Sequence, residues 1–465
     1  MKVTPEWRVY VLGAALCAAL TICSRYFGDR GGPYFSASLA LAGIVYLLAI
    51  REFFATPKFP RRVVVFGLVL AAVWHVEFLR LPAGADDDIH RYVWDGRLQR
   101  LGYNPYIVVP ADPAVKGLHT PETRNMNNPN LLTPYPAGAE LFFRAVTAIH
   151  ESTFALKVAF VVCDLAIVLV LLDVSRWSRH GAHLVLAFAW NPLLAIEVAG
   201  SGHVDIVGSL LLLVSAAALV RRWRATAAVG LGLAVAVKFL PVVLLPLYWK
   251  RVRVRDAALA AAVIGLMYVP FLDHGRIPTG SLGAYVQGFR FNGPVVAILH
   301  PVASPQLLAG LAVLAGLATA TWLRTAAPGW SPEVFAWPMA VSLFCAPVVF
   351  PWYLLSLLPF LGSARTLLII VWTVSIIPTY VVWHLRALGH GWGPVPVWVM
   401  PLEYGCLATA GALIAFRRFM RPAAPRYSNA PVQSSPSGQQ NTSVSGGRGG
   451  ASNTTSVQFT KEERS

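Results

Sequence analysis

Charge is scarce in this sequence: only 13% of its 465 residues are Asp, Glu, Lys or Arg, about half the share of an ordinary soluble domain. A chain this long would build one large soluble core or several domains, and either needs an ionic surface that is missing here. Acidic residues are the scarcest, 22 against 38 Lys and Arg, for a net charge of +16. Cysteine is also rare. Cys17, Cys23, Cys163, Cys345 and Cys406 all lie in apolar runs, which excludes a disulfide-stapled secreted scaffold and makes them small buried hydrophobes. The chain contains no Gly-x-Ser-x-Gly elbow, no His-Glu-x-x-His pair and no phosphate-cradling Gly-x-x-x-x-Gly-Lys-[Ser/Thr] loop.

What is abundant is hydrophobicity, at 56% of residues. A helix needs about 20 mostly apolar residues to cross a bilayer. Candidate spans lie near 9–26, 36–50, 63–80, 154–173, 183–200, 205–220, 257–272, 305–324, 333–350, 366–384 and 396–416, with 225–249 and 351–364 as further apolar stretches. The expected fold class is therefore all-α and polytopic, with roughly 11–14 transmembrane segments. The first span has no small-residue cleavage site and reads as a retained anchor.

Basic residues cluster between the spans: Arg51/Lys58/Arg61/Arg62, Arg176/Arg179, Arg221/Arg222/Arg224, Lys250/Arg251/Arg253/Arg255 and Arg417/Arg418/Arg421. Alternate loops carry only Arg25, Arg30, Arg276, Arg290 and Arg386. This is the positive-inside pattern of an inner-membrane protein with a cytoplasmic N-terminus, not a nucleic-acid surface. Both ends of 225–249 are basic, so two half-helices meeting near Lys238-Phe239-Leu240-Pro241 are expected, with a similar break at Phe350-Pro351-Trp352-Tyr353. Residues 1–420 read as the transmembrane domain. Residues 421–465, rich in Ser, Thr, Asn, Gln and Gly, read as a disordered cytoplasmic tail.

The longest polar stretch, 81–152, falls outside, and its acidic residues outnumber its basic ones. Its amphipathic run Ala139–Ile149 predicts a helix lying on the membrane surface. Asp86-Asp87-Asp88 begins it, just past a span. Adjacent like charges repel unless compensated, and the Asp-x-Asp spacing of Asp86 and Asp88 permits a divalent cation. His90, Arg91, Asp95 and Arg97 follow at spacings that gather polar groups over two helical turns. The plain alternative is an acidic helix start.

The stretch Asp87-Asp88-Ile89-His90-Arg91-Tyr92-Val93-Trp94-Asp95-Gly96-Arg97, with Gly102-Tyr103-Asn104-Pro105-Tyr106 after it, resembles bacterial membrane glycosyltransferases of the GT-C superfamily, above all the polyprenyl-phosphate-mannose-dependent mannosyltransferases. Tyr135-Pro136-Ala137, Asn191-Pro192-Leu193 leading to Gly202-His203-Val204-Asp205, Lys238-Phe239-Leu240-Pro241 and Pro351-Trp352-Tyr353 also have counterparts there, over residues 60–360. The sequence departs from the common pattern at His90, Ala137 and Phe350, where Tyr, Pro and His are frequent. The resemblance implies that a hexose, mannose, is presented on a polyprenyl phosphate at the outer face. An acceptor hydroxyl on a lipid or glycan attacks C1 with inversion, and an aspartate of the loop acts as general base.

The residues suit that chemistry. A hydroxyl attacking an acetal-like carbon needs a carboxylate within reach, and Asp87 is the first candidate, Asp88 the second. The departing phosphate needs fixed cations. Lys238, between apolar halves, is the leading one, with Arg290 and His203 assisting. Asp86, Arg91, Asp95, Arg97, Asp205, Trp352 and Tyr353 complete the candidate substrate-binding set. Each has a structural alternative: Lys238 neutralising Glu197, His203 and Asp205 as a helix cap, Arg290 as an interfacial anchor, and Trp352 and Tyr353 as part of an aromatic belt. No cofactor is required, although a divalent cation fits. The competing class is a transporter or flippase for a lipid-linked or anionic substrate, with Lys238 and Glu197 as coupling residues.

Overall fold

The computed structural model describes residues 5–84, 87–178, 180–324, 330–391 and 393–420. Every regular element among them is helical. In chain order they include α1 (Pro5–Arg25), α2 (Pro33–Ala55), α3 (Arg61–Leu79), α4 (Asp88–Arg100), α5 (Ala137–Ile149), α6 (Thr153–Ser178) and α7 (Val185–Ala189). Then come α8 (Asp205–Val220), α9 (Arg224–Val237), α10 (Leu245–Tyr248), α11 (Val254–Tyr268), α12 (Leu282–Gly288), α13 (Pro294–Leu299), α14 (Pro305–Leu323), α15 (Pro332–Cys345), α16 (Leu367–Ser375), α17 (Val381–Ala387) and α18 (Val399–Phe419). Asp86 and the expected tail, 421–465, lie outside the described residues. The chain divides into a unit ending at Phe416 and another beginning at Arg417; the candidate site belongs to the first.

Among the described residues, eight helices are long and apolar enough to cross a membrane, or nine if the bent pair Ala182–Ala189 and Leu194–Gly200 counts as one span. Three shorter apolar helices, Asp205–Val220, Arg224–Val237 and Pro332–Cys345, fall on the expected stretches 205–220, 225–249 and 333–350, whereas 351–364 forms short 3-10 turns and no spanning helix. The shorter elements are the inner ones. Every residue from Leu194 to Gly200 is buried, as is most of α8, so their length is set by protein neighbours, whereas α11, α14 and α18 are the least buried spans. The bent pair is fixed from both sides: Trp190 donates to Gly67 O at 2.9 Å, and Tyr46 to Ala187 O at 2.6 Å.

Both expected breaks are present. α9 stops at Lys238, whose backbone turns extended (φ −147°, ψ 134°), and a 3-10 turn, Leu240–Leu244, leads into α10. Pro241 has no N–H to continue the α-helical ladder. α15 likewise ends at Cys345, and the 3-10 turn Pro351–Ser356 follows. The amphipathic run forms α5, which packs on α4 through Tyr92 and Phe143, stacked at 4.3 Å.

Candidate active site

Asp87 precedes the first turn of α4 but does not cap it with its side chain. Its Oδ1 accepts from Arg30 Nη2 at 2.7 Å, and its Oδ2 accepts from the Gly84 amide at 2.7 Å. Both Asp87 and Arg30 are buried. A Cβ at Gly84 would lie 1.9 Å from Arg30 Nη2, so a larger residue there would displace the guanidinium from Asp87. Arg30 reaches onward from the α1–α2 turn to Ser201, donating from Nη1 at 2.6 Å. Burial alone would lower the Arg30 guanidinium, but the charge and hydrogen bond of Asp87, with Glu197 and Tyr380 behind them, together outweigh it, and the cation is held above its ordinary value.

One turn, Ser201-Gly202-His203-Val204-Asp205, joins four charged side chains. Ser201 accepts from Arg30. His203 Nε2 lies 3.1 Å from Glu197 Oε2, and Nδ1 lies 3.9 Å from Asp88 Oδ2. Asp205 Oδ1 lies 2.9 Å from Lys238 Nζ. The preceding Leu194–Gly200 segment is a π-helix, a wide turn frequent at functional sites. Gly202 then takes φ +78°, a left-handed conformation that favours glycine.

His203 is fixed on its face as well as its edge. Its ring stacks on Trp352 at 4.1 Å, Trp352 on Phe350 at 4.4 Å, and Phe350 on Phe291 at 4.3 Å. Both faces of the Trp352 indole are thus covered, so it positions His203 and offers no face for stacking on a sugar. Burial pushes the His203 ring down, but Glu197, then Asp88 and Asp205, outweigh it and hold it above its ordinary value. Glu197 also accepts from Tyr380 OH. Buried His203 Nδ1 and Asp205 Oδ2 have no hydrogen-bond partner among the described residues, which is costly unless a ligand or water meets them.

Asp88 and Lys238 are the open members, with 21% and 22% of their side-chain surface exposed. Asp88 Oδ1 accepts from Asn127 at 2.6 Å, leaving Oδ2 on the His203 side. Lys238 Nζ also sits 4.3 Å from the centre of the Tyr353 ring, and Tyr353 OH is 2.9 Å from Tyr285 OH. Asp87, Asp88, His203, Asp205, Lys238, Trp352 and Tyr353 therefore meet in one cluster. The alternative pairing of Lys238 with Glu197 does not occur: Lys238 pairs with Asp205, and Glu197 with His203 and Tyr380.

The other candidates lie apart from this cluster. Arg91 Nε donates to Asp95 at 2.8 Å and Arg91 Nη1 to Leu131 O at 2.9 Å. Arg97 bonds Leu118 O and Glu151. These contacts tie α4 to the loop and to the chain after α5. Arg290 is exposed, next to the stacked Phe291. No group of three or more His, Cys, Asp or Glu able to hold a metal occurs among the described residues.

Asp95 of α4 and Glu140 of α5 form a second carboxyl pair. Glu140, fully buried, accepts from Thr133 at 2.6 Å and from Gln99 at 2.8 Å. Burial, then the Asp95 charge, pushes Glu140 well above the carboxylate range, and burial also raises Asp95 despite Arg91. The folded state therefore keeps a proton that the unfolded chain releases above about pH 4.3. Stability should fall as pH rises above that point toward the folded-state value. Glu140→Gln removes the titrating group while keeping an acceptor. In thermal unfolding of the detergent-solubilised protein between pH 5 and 8, the midpoint of the wild type should drop more with pH than that of Glu140→Gln. Parallel slopes would dismiss the shared proton.

Sequence reasoning missed Arg30, Ser201 and Tyr380 as members of the site. The available signal was an arginine beside Gly31-Gly32 in a very short turn between two spans, where a buried charge must find a partner. In the comparisons with known proteins, a family model described as "MptA_B_family: Alpha-(1->6)-mannopyranosyltransferase, N-terminal domain" matches residues 18–252. Neither the curated proteins nor the solved structures gave a match.

Proposed function

The chain belongs to this family of alpha-(1->6)-mannopyranosyltransferases, and from that premise we propose that it transfers mannose from a polyprenyl-phosphate donor to an acceptor hydroxyl, with inversion, on the outer side of the inner membrane. The observation carrying this reading is the single turn 201–205, which gathers the Asp87/Asp88 pair and two cations, Arg30 and Lys238. The Asp87 carboxylate, held by Arg30 and the Gly84 amide, is the general base, with lone pairs left to take the acceptor proton. Asp88 orients the hydroxyl from its open oxygen. As the C1–O bond to phosphate breaks, negative charge grows on the leaving oxygens, and Lys238 at the helix break stabilises it.

A membrane-borne donor suits a chain with eight or nine spanning helices and no phosphate-cradling loop. The basic clusters at Arg51–Arg62 lie at the far ends of α2 and α3 from Asp87, which supports an extracytoplasmic site. An alpha linkage made in one inverting displacement requires a donor whose mannose is β-linked to phosphate.

The test is purified full-length protein with β-linked and α-linked polyprenyl-phosphate mannose, the corresponding glucose and galactose lipids, and GDP-mannose, following free polyprenyl phosphate with and without a chelator. Turnover is expected from the β-linked mannose lipid alone. Turnover from GDP-mannose or from the α-linked lipid would overturn the donor class or the inversion, respectively. The chelator decides whether a cation serves Asp88.

A further inference from the structure

At the end of the bundle away from Asp87, a cavity of about 440 Å³ opens between the C-terminus of α2, the α6–α7 turn, the start of α15 and the turn before α16. α2 sets its distance: Phe53 in its wall lies about 30 Å along the helix from Pro33, which follows closely on the Arg30 turn. The mouth is polar, with Thr56, His180, His183, Ser331, Ser363 and Arg365. It continues, through shared His180, Leu184 and Trp330, into a narrower cleft lined by Leu171, Val174, Val185, Phe188 and Leu358.

A polar mouth over an apolar cleft is the shape of an amphiphile. Three observations define its headgroup. His183 is 2% exposed; its Nε2 donates to Phe53 O at 3.0 Å, and its Nδ1 has no partner among the described residues. In the neutral ring Nδ1 is therefore an acceptor waiting for a hydroxyl. Arg365 stands at the rim, 72% exposed, paired with Glu333 at 2.8 Å. The N-terminus of α15, Ser331 to Glu333, forms part of the wall; Pro332 offers no N–H there, but the positive end of the helix dipole favours an anion. Exposed Lys58, Arg61, Arg62 and Arg176 belong to the same end of the bundle. Their acidic neighbours are already engaged, Glu6 by Arg62 and Glu333 by Arg365.

The geometry points to a binding site for one anionic phospholipid with a hydroxyl-bearing headgroup. Its phosphate faces Arg365 and the α15 N-terminus, a headgroup hydroxyl donates to His183 Nδ1, and the first carbons of one chain enter the cleft. Basic pockets between helices are a recurrent solution for such lipids. The site is separate from the transfer chemistry and does not rest on that reading.

The test uses purified full-length protein, delipidated and titrated with phosphatidylglycerol or with phosphatidylcholine of the same chains, with bound lipid counted by native mass spectrometry. One phosphatidylglycerol is expected to be retained in preference to phosphatidylcholine. Arg365→Glu, an exposed change, should weaken it about tenfold, and Val174→Trp should block the cleft, both with sugar transfer unchanged. Equal retention of the two lipids, or no loss in Arg365→Glu, overturns the site. Displacement of the lipid by inorganic phosphate or glycerol phosphate at equal concentration would show an anion site without a lipid and overturn it as well.

Discussion

Asp87→Asn is expected to lower sugar transfer roughly 10²–10⁴-fold, the range a general base contributes, with donor binding little changed. The base removes the acceptor proton only as the new bond forms, so its loss is felt in kcat. Asp87 is also a structural residue: both its oxygens accept, from Arg30 and from Gly84. An asparagine has one acceptor oxygen for those two donors, and its amide group would face one of them. Turnover must therefore be expressed per folded molecule, with the folded fraction measured by size exclusion and thermal unfolding. Asp88→Asn is the companion. Asp88 is partly exposed and its one short bond is to Asn127, so this variant should fold normally and lose turnover less steeply, with a rise in acceptor KM. If Asp88→Asn falls to background while folded Asp87→Asn still turns over, the roles are reversed.

The spanning helices were legible because their signals are local. A run of about 20 apolar residues marks a span, and Pro241 after Lys238 ends a helix wherever it occurs. The amphipathic period of α5 was equally plain. The acidic pair could be read as chemistry because three adjacent carboxylates need compensation. What supplies that compensation was not legible. Arg30 and Asp87 are 57 residues apart, and Glu197 and Tyr380 are 183 apart, and no periodicity links such positions. The same limit explains Trp352. An indole at a helix break resembles a sugar platform until the rings on its two faces, His203 and Phe350, are known. Arg91, Asp95 and Arg97 share a helix with the site and so resembled it, but Arg91 and Arg97 turn to the loop, and Asp95 is buried between Arg91 and Glu140.

Arg30 leads to the second large effect, and it separates structure from chemistry. A buried ion pair broken from one side leaves an uncompensated charge, which costs about 3–5 kcal/mol. Arg30→Met should therefore destabilise the protein by about that much, far more than loss of an exposed arginine such as Arg8, whose pairing with Glu52 spans 3.4 Å and is worth about 1 kcal/mol at most. Arg30→Lys should not restore it, because one ammonium cannot match the guanidinium fork that serves Asp87 and Ser201 together. The informative variant is Arg30→Met with Asp87→Asn. Removing both charges leaves neither ion unpaired, so the double variant should be more stable than the sum of the single losses predicts, a positive coupling measurable by thermal or denaturant unfolding. Its turnover should nevertheless stay at the level of Asp87→Asn alone. Recovery of stability without recovery of transfer is the signature of a carboxylate that Arg30 holds in place and that the reaction needs for its own sake. If turnover returns with stability, Asp87 served only to neutralise Arg30, and the base must be sought at Asp88.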